Sequence, residues 1–235
     1  MEMIIKKITT EKNIKLFIDE HLNEGRLNFH GVILRRAYIH PLNLIEIVKE
    51  AIKIHPIIEV DVSRNALGAY AIDMVKVLME SKIIKGLNLQ GNSLDRSAII
   101  VAEEISKSET ITVLNLSRHN LGRRSDDRAC GIEVARHLGN SKSLIELNLA
   151  MNEIKEDGME VVKGLAKCKT LRYLSLSDNQ LGKAAIDILK EIDASMILDC
   201  LDISFNGIDP NITNSPNEFK NIKEIINHSL RGECF

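Results

Sequence analysis

The side chains that could support acid–base, nucleophilic or metal chemistry are scattered along the chain. Seven histidines form no HExxH pair or comparable ligand spacing. The four cysteines, Cys130, Cys168, Cys200 and Cys234, lie more than thirty residues apart, without a CxxC or zinc-type pattern. We therefore expect reduced thiols, no bound metal and no cofactor.

The densest group of charges is a short run with two adjacent carboxylates, Asp126 and Asp127, between Arg123, Arg124 and Arg128. A catalytic carboxylate pair needs two unequal environments, and nothing in this run indicates them. We interpret the run as a solvated, self-paired loop. The chain also lacks GxGxxG, P-loop and G-x-S-x-G motifs, and no cysteine has a nucleophile context. The sequence predicts a protein that is not an enzyme.

Composition restricts the classes of partner. The 235 residues carry 31 Lys and Arg against 33 Asp and Glu, a formal charge of -2. This balance argues against a domain-wide polycation that binds nucleic acid and leaves room only for a local basic patch. No apolar run approaches the roughly 18 residues of a membrane span. Charges interrupt the first apolar residues too early for a secretory signal, so we expect a cytoplasmic location.

An internal repeat dominates the chain. Residues 171–181, LRYLSLSDNQL, follow the pattern L-x-x-L-x-L-x-x-N-x-L, and copies occur upstream and downstream. A degenerate first copy retains Leu27, Phe29 and Leu34. The Asn position falls at Val32, Asn65, Asn92, His119, Asn152, Asn179 and Asn206, with intervals of 33, 27, 27, 33, 27 and 27 residues. This regular period indicates a solenoid of about seven units.

The pattern also predicts the local structure of each unit. The L-x-L alternation is typical of a strand with one buried face. An Asn side chain both donates and accepts, so it can satisfy backbone groups where the chain leaves the strand. The remainder of each period, such as 68–78 and 158–167, has helical apolar spacing. Each unit exposes apolar surface that only a neighbouring unit covers, so we expect one cooperative array.

These motifs resemble leucine-rich-repeat proteins of the ribonuclease-inhibitor type. The resemblance implies an α/β horseshoe, with parallel strands on a concave face and helices on a convex face. Relatives of this class include NOD-like receptors, the GTPase-activating protein of Ran and effectors of intracellular bacteria. The resemblance therefore also implies that the chain binds a protein partner.

We expect one domain over residues 1–235, with about seven repeats over 27–208 and helical caps at both ends, because a terminal unit exposes its apolar flank. The N-terminal cap covers residues 1–26 and contains an amphipathic helix from Thr10 to Asn23. The C-terminal cap and tail cover 209–235. There a helix is predicted to begin at Ser215-Pro216, with an apolar stripe of Phe219, Ile222, Ile225 and Ile226.

Candidate partner-binding residues are the outward-facing side chains of the strands. One row is small and polar: Asn28, Asp61, Asn88, Asn115, Asn148, Ser175 and Asp202. Such a row also simply keeps a curved sheet solvated. Larger side chains flank the rows: Glu59, Arg64, Arg118, Met151, Tyr173, Asp178 and Phe205. The last five contain an Arg and two aromatics, the residue types of binding hot spots, and are predicted to form one patch.

An insertion at 122–131, within the longer interval after His119, is the second candidate site, through Arg123 and Arg124. The function predicted from these residues is a non-catalytic protein-binding scaffold. With the Ile, Lys and Asn bias of the chain, the resemblance extends this to a bacterial effector delivered to a host cytosol. The alternative is a regulator of a small GTPase, in which Arg118, Arg123 or Arg124 positions the catalytic machinery of the GTPase.

Overall fold

A computed structural model describes residues 31–37, 39–54, 56–122, 130–209, 213 and 219–228. Strands and helices alternate along them. The strands are β1 Gly31–Ile33, β2 Glu59–Asp61, β3 Gly86–Asn88, β4 Val113–Asn115, β5 Glu146–Asn148, β6 Tyr173–Ser175, β7 Leu198–Asp202 and β8 Ile222–Ile226. The helices are α1 Pro41–Ile54, α2 Ala71–Glu80, α3 Ser97–Ser106, α4 Cys130–Leu138, α5 Gly158–Leu165 and α6 Ala185–Ser195.

The eight strands form one parallel sheet in which each strand pairs with the next strand of the sequence. The register is constant, so equivalent positions of successive repeats lie side by side. In β2 to β6 the central residue is buried, for example Leu147 and Leu174, whereas the residue before it faces away from the core. This alternation confirms the strands predicted from L-x-L, and the order of the sheet is that of a repeat solenoid.

The helices cover one face of the sheet with regularly spaced apolar side chains. In α2 the buried residues are Ala71, Met74, Val75 and Leu78, which recur at helical spacing on one stripe. The two repeat helices predicted over 68–78 and 158–167 are present, and α2 follows a 3-10 turn at Gly68–Tyr70. The buried residues of all repeats join in one continuous hydrophobic cluster. We call the other face of the sheet, which the helices leave uncovered, the open face.

Two glycines set the distance between neighbouring helices. A Cβ on Gly139, just after α4, would lie 2.1 Å from the carbonyl oxygen of Gly164 in α5, far inside any normal contact. A Cβ on Gly164 would meet the backbone of Ala135 at 3.1 Å. The backbones of adjacent repeats therefore touch here, and no larger residue fits without moving a helix.

The first repeat has a different register from the one predicted. Val32 does not occupy the Asn position, because it pairs with Val60 in the sheet. Ala37 occupies that position instead, since its backbone N–H donates to Asn65 Oδ1 at 2.8 Å, the bond that Asn65, Asn152 and Asn179 make to the next asparagine. The first interval is thus 28 residues, from Ala37 to Asn65. In the observed register Leu34 aligns with Val62 and is the third apolar residue of the first repeat, whereas the sequence pattern predicts it to be the last.

The predicted C-terminal helical stripe is wrong where the structure describes it. Ile222, Ile225 and Ile226 lie in β8, which pairs with β7. An uncovered β7 would present a row of unpaired backbone groups. β8 satisfies them, and flanking residues extend the pairing, with Leu198 N–H donating to the Asn221 oxygen and Phe205 N–H to that of His228.

Several predictions lie outside the described residues, among them those on Leu27, Asn28 and Phe29 of the first repeat and on Cys234. The others are the N-terminal cap over 1–26, the helix start at Ser215-Pro216, and the run Arg123–Arg128 with Asp126 and Asp127.

Candidate functional site: the open face of the sheet

A ladder of buried asparagines fixes the turn at the carboxyl end of each strand. Asn179 is typical: its Nδ2 donates to the oxygens of Leu149 and Leu176, and its Oδ1 accepts the N–H of Asn152 at 3.0 Å. Asn65, Asn92, Asn152 and Asn206 repeat the donation to two carbonyl groups in neighbouring repeats. The ladder amides thus bond inside the fold, so the ladder is structural and holds the open face in register.

His119 occupies the Asn position of its repeat and satisfies only part of this pattern. Its Nδ1 accepts the N–H of Leu94 at 3.4 Å, and its own backbone N–H donates to Asn152 Oδ1 at 2.8 Å. Nε2 is buried and makes no hydrogen bond of normal geometry among the described residues, although the carbonyl group of Leu89 interacts with the ring. Burial lowers the pKa of the imidazole from 6.5 to about 4, a shift that the carbonyl of Leu89 opposes only in part. The side chain is therefore neutral at pH 7 and faces the interior.

The polar row that contains Asp61 also has an internal task. Asp61 Oδ1 accepts the backbone N–H of Ser63 at 2.9 Å, two residues further on, while Oδ2 accepts Nδ2 of Asn88. The same i to i+2 bond occurs in other strands, at Asn88, Asn115, Asn148 and Asp202. These oxygens satisfy backbone groups where each strand ends. The regularity of the row is thus explained by the fold.

A second row lies beyond the strand ends, at the first residue of each turn that adopts the left-handed backbone conformation. We call it the rim row: Arg36, Arg64, Gly91, Arg118, Met151, Asp178 and Phe205, with φ between 50° and 65°. The backbone N–H of each donates to the carbonyl group of the preceding position in the next unit, as from Arg64 to Gln90 at 2.8 Å. The backbone alone therefore sets the row, and these bonds do not depend on which side chains the row carries.

The structure divides the predicted five-residue patch into two places. Arg118, Met151, Asp178 and Phe205 are consecutive in the rim row. Tyr173 instead begins β6, at the opposite end of the strand from Asp178. Register places Tyr173 beside Glu146 on one side and Cys200 on the other. Glu59 begins β2 and lies in the same row as Tyr173, four strands away.

Around Tyr173 the open face forms a hollow of about 430 Å³. The tyrosine is 44% exposed, so its ring is open to contact from outside the chain. The hollow is lined by Tyr173 and Cys200 with the carboxylates of Glu146, Asp202 and Glu224, and with Ile226. An aromatic ring beside an aliphatic side chain and three carboxylates suits an apolar group that carries a positive charge.

Sequence reasoning missed Glu146, Cys200 and Glu224 as members of this hollow. Glu146 and Cys200 were recognisable, since each directly precedes the second apolar residue of its repeat, as Tyr173 does. Glu224 was hidden by the assignment of its segment to a helix. Burial, with Glu224 and Asp202 nearby, raises the pKa of the Cys200 thiol, so the thiol is protonated and a poor nucleophile.

The described residues contain no group of three or more His, Cys, Asp or Glu side chains placed to hold a metal ion. Within the same part of the chain, no helix is both long and apolar enough to cross a bilayer. What the open face offers chemically is contact surface: a hollow with an exposed ring, and a rim of side chains on a rigid backbone.

Comparison with known families agrees with this geometry. The family model described as Leucine Rich repeat matches residues 140–162 and 167–186, the segments that contain β5 with the first part of α5, and β6 with the turn after it. No curated protein matches the chain. The asparagine ladder, the parallel sheet of strand–helix repeats and these two matched segments together support a leucine-rich-repeat protein.

Proposed function

We propose that this chain is a non-catalytic scaffold that binds a partner protein on the open face of its sheet, with the hollow around Tyr173 as the principal contact. Leucine-rich repeats are in general protein-interaction modules, which supports the broad function. The exposed ring of Tyr173 is the observation that carries the site, because a large aromatic side chain left 44% exposed costs hydration free energy that a partner recovers.

The mechanism is preorganisation. Ladder asparagines and strand pairing fix the backbone of the open face before any partner arrives, so few groups lose freedom on binding. The carboxylates of Glu146, Asp202 and Glu224 line the same hollow as the ring and favour a lysine or arginine side chain of the partner, with its aliphatic stem on Tyr173 and Ile226.

The experiment is an affinity pull-down with mass spectrometry that compares wild type, Tyr173→Ala and Tyr70→Ala. Tyr70 is a matched control: it is 38% exposed, ends the 3-10 turn before α2 and lies off the open face. The proposal expects a specific protein that Tyr173→Ala loses by about tenfold or more and Tyr70→Ala retains. Equal recovery by both variants would refute the hollow as the site.

A narrower proposal concerns where the scaffold acts. Resemblance to bacterial effectors and the Ile, Lys and Asn bias support a host cytosolic protein as the partner. Eukaryotic cytosol is therefore the first lysate to use. A partner captured only from the lysate of the protein's own cell would contradict this host-directed proposal and leave the scaffold function intact.

A further inference from the structure

Four arginines gather at the end of the rim row nearest β1. Arg36, Arg64 and Arg118 belong to the row, and Arg35 precedes Arg36. Between Arg64 and Arg118 the row has Gly91, and the position of its missing Cβ lies 3.3 Å from Arg64 Cγ. The stem of Arg64 thus passes over the glycine towards the repeat of Arg118. We call these four residues the arginine rim.

The charges of the arginine rim are not neutralised within the described part of the chain. The ion pairs found there join other side chains, mostly on the helices. Asp61, the carboxylate of β2 beyond which Arg64 lies, is bonded to Ser63 and Asn88. Desolvation, followed by repulsion from Arg36, Arg35 and Arg118, lowers the pKa of Arg64. Like charges held together this way oppose folding, which is typical of a surface kept for binding.

From this uncompensated cluster we propose that the arginine rim binds an acidic segment of the partner protein, rich in Asp or Glu. The inference rests on the proposed scaffold function and adds a second contact to the same face. Guanidinium groups bind carboxylates through paired N–H donors in one plane. The rim crosses three strand spacings, about 14 Å, which roughly four residues of extended peptide match.

The charges of the rest of the open face favour a peptide over a nucleic acid. Glu146, Asp202 and Glu224 lie on the same face towards β8, where they repel a continuous polyanion. A single strand would also need aromatic side chains between the basic residues, and the arginine rim has none. A short acidic segment is attracted to the arginine rim and repelled by the carboxylates of the hollow. The positive rim and the negative hollow therefore also set the orientation of a bound partner on the open face.

The test uses the full chain and fluorescence anisotropy. The probe is a labelled peptide of about ten alternating Glu and Ser residues, with a Gln-for-Glu peptide and an oligothymidine of similar charge as comparisons. The rim variant is Arg36→Gln/Arg64→Gln/Arg118→Gln. Its control, Lys76→Gln/Lys167→Gln/Lys190→Gln, removes the same charge from exposed lysines of the helical face and its connections.

The proposal expects wild type to bind the Glu peptide at about 50 mM salt, with affinity that falls as salt rises. The rim variant should lose about tenfold or more, the lysine variant less than about twofold, and an Arg-to-Lys version of the rim should retain part of the binding. Thermal unfolding separates binding from folding: neutralising the rim removes repulsion, so its midpoint should stay or rise.

Three results would overturn the inference: no Glu-peptide binding by wild type, equal binding by the rim variant, or tighter arginine-dependent binding of oligothymidine. None of them alters the Tyr173 pull-down. Loss of capture by Tyr173→Ala without rim binding would leave the scaffold proposal standing and remove the acidic partner. Arginine-dependent binding of the Glu peptide, with capture unaffected by Tyr173→Ala, would support the rim as a contact site and refute the hollow.

Discussion

The backbone N–H of His119 donates to Oδ1 of Asn152 at 2.8 Å across a 33-residue interval, the bond that elsewhere joins residues 27 or 28 apart. The ladder therefore tolerates both an inserted loop and a histidine. β4 and β5 pair in the same register as the other neighbouring strands, although the insertion at 122–131 lengthens the sequence between them.

His119→Asn is expected to stabilise the protein at pH 7 by about 1 kcal/mol, because an amide restores donors where Nε2 now makes no hydrogen bond of normal geometry among the described residues. Urea unfolding measures the change. Asn179→His is the matched reverse, and it should destabilise by about 2 kcal/mol or more since it removes two donated bonds. A less stable His119→Asn would mean that the volume of the imidazole outweighs the missing bonds.

Stability should depend on pH through His119. The pKa of its imidazole is about 4 in the folded chain and 6.5 when the ring is solvated, as it is after unfolding, so between these values the unfolded chain binds more protons. Stability is then greatest above pH 6.5 and falls as pH decreases to about 4, by up to about 1.4 kcal/mol per pH unit. The difference in the free energy of unfolding between wild type and His119→Asn, measured with urea at several pH values in this range, isolates the contribution of His119. A difference that is flat with pH would contradict it.

Gly139→Ala should be severely destabilising, by about 3 kcal/mol or more, because its Cβ would lie 2.1 Å from the Gly164 oxygen. Gly182→Ala is the control. It has φ of 56° but nothing within 4 Å of the new methyl group, so only backbone strain of about 1 kcal/mol is expected. Thermal or urea unfolding ranks the two. Similar losses would show that α4 and α5 can separate at little cost.

Cys200 should react slowly with iodoacetamide, because burial and two carboxylates raise its pKa. The alkylation rate, followed for this cysteine by peptide mass spectrometry, should rise at a higher pH than for an exposed thiol. Glu224→Gln should shift the profile to lower pH. Glu156→Gln, an exposed change on the turn before α5, should not. An unchanged profile in Glu224→Gln would place that carboxylate too far from the sulfur to matter.

The repeats were predictable because their period, alternation and asparagines all specify the same structure. The first repeat was not, because apolar residues at 27, 29, 32 and 34 fit two registers, and only the bond from Ala37 to Asn65 distinguishes them. The segment at Ile222–Ile226 fits a helical stripe by spacing, but the free edge of β7 needed a strand. The apolar spacing of a segment describes that segment alone and does not show that the neighbouring strand β7 has backbone groups still to be paired.

The site was predictable to the level of rows. Positions before and after each buried strand residue follow from alternation, which placed Tyr173 and Arg118 outward. The separation of Tyr173 from Asp178 was not predicted. Tyr173 begins β6 and Asp178 lies in the turn after it, so the separation of five residues between these positions spans the strand from one end to the other. The function of the Asp61 row was also hidden, since its bonds to backbone N–H groups depend on the turn geometry.

The rim row has a consequence for how such a protein changes its specificity. Arg, Gly, Met, Asp and Phe all occupy this one backbone position, and the backbone hydrogen bonds that hold it involve no side chain. A single codon change there alters what one repeat presents while its neighbours keep their geometry. The binding specificity of the rim row can thus change by one substitution at a time, and each intermediate sequence still folds.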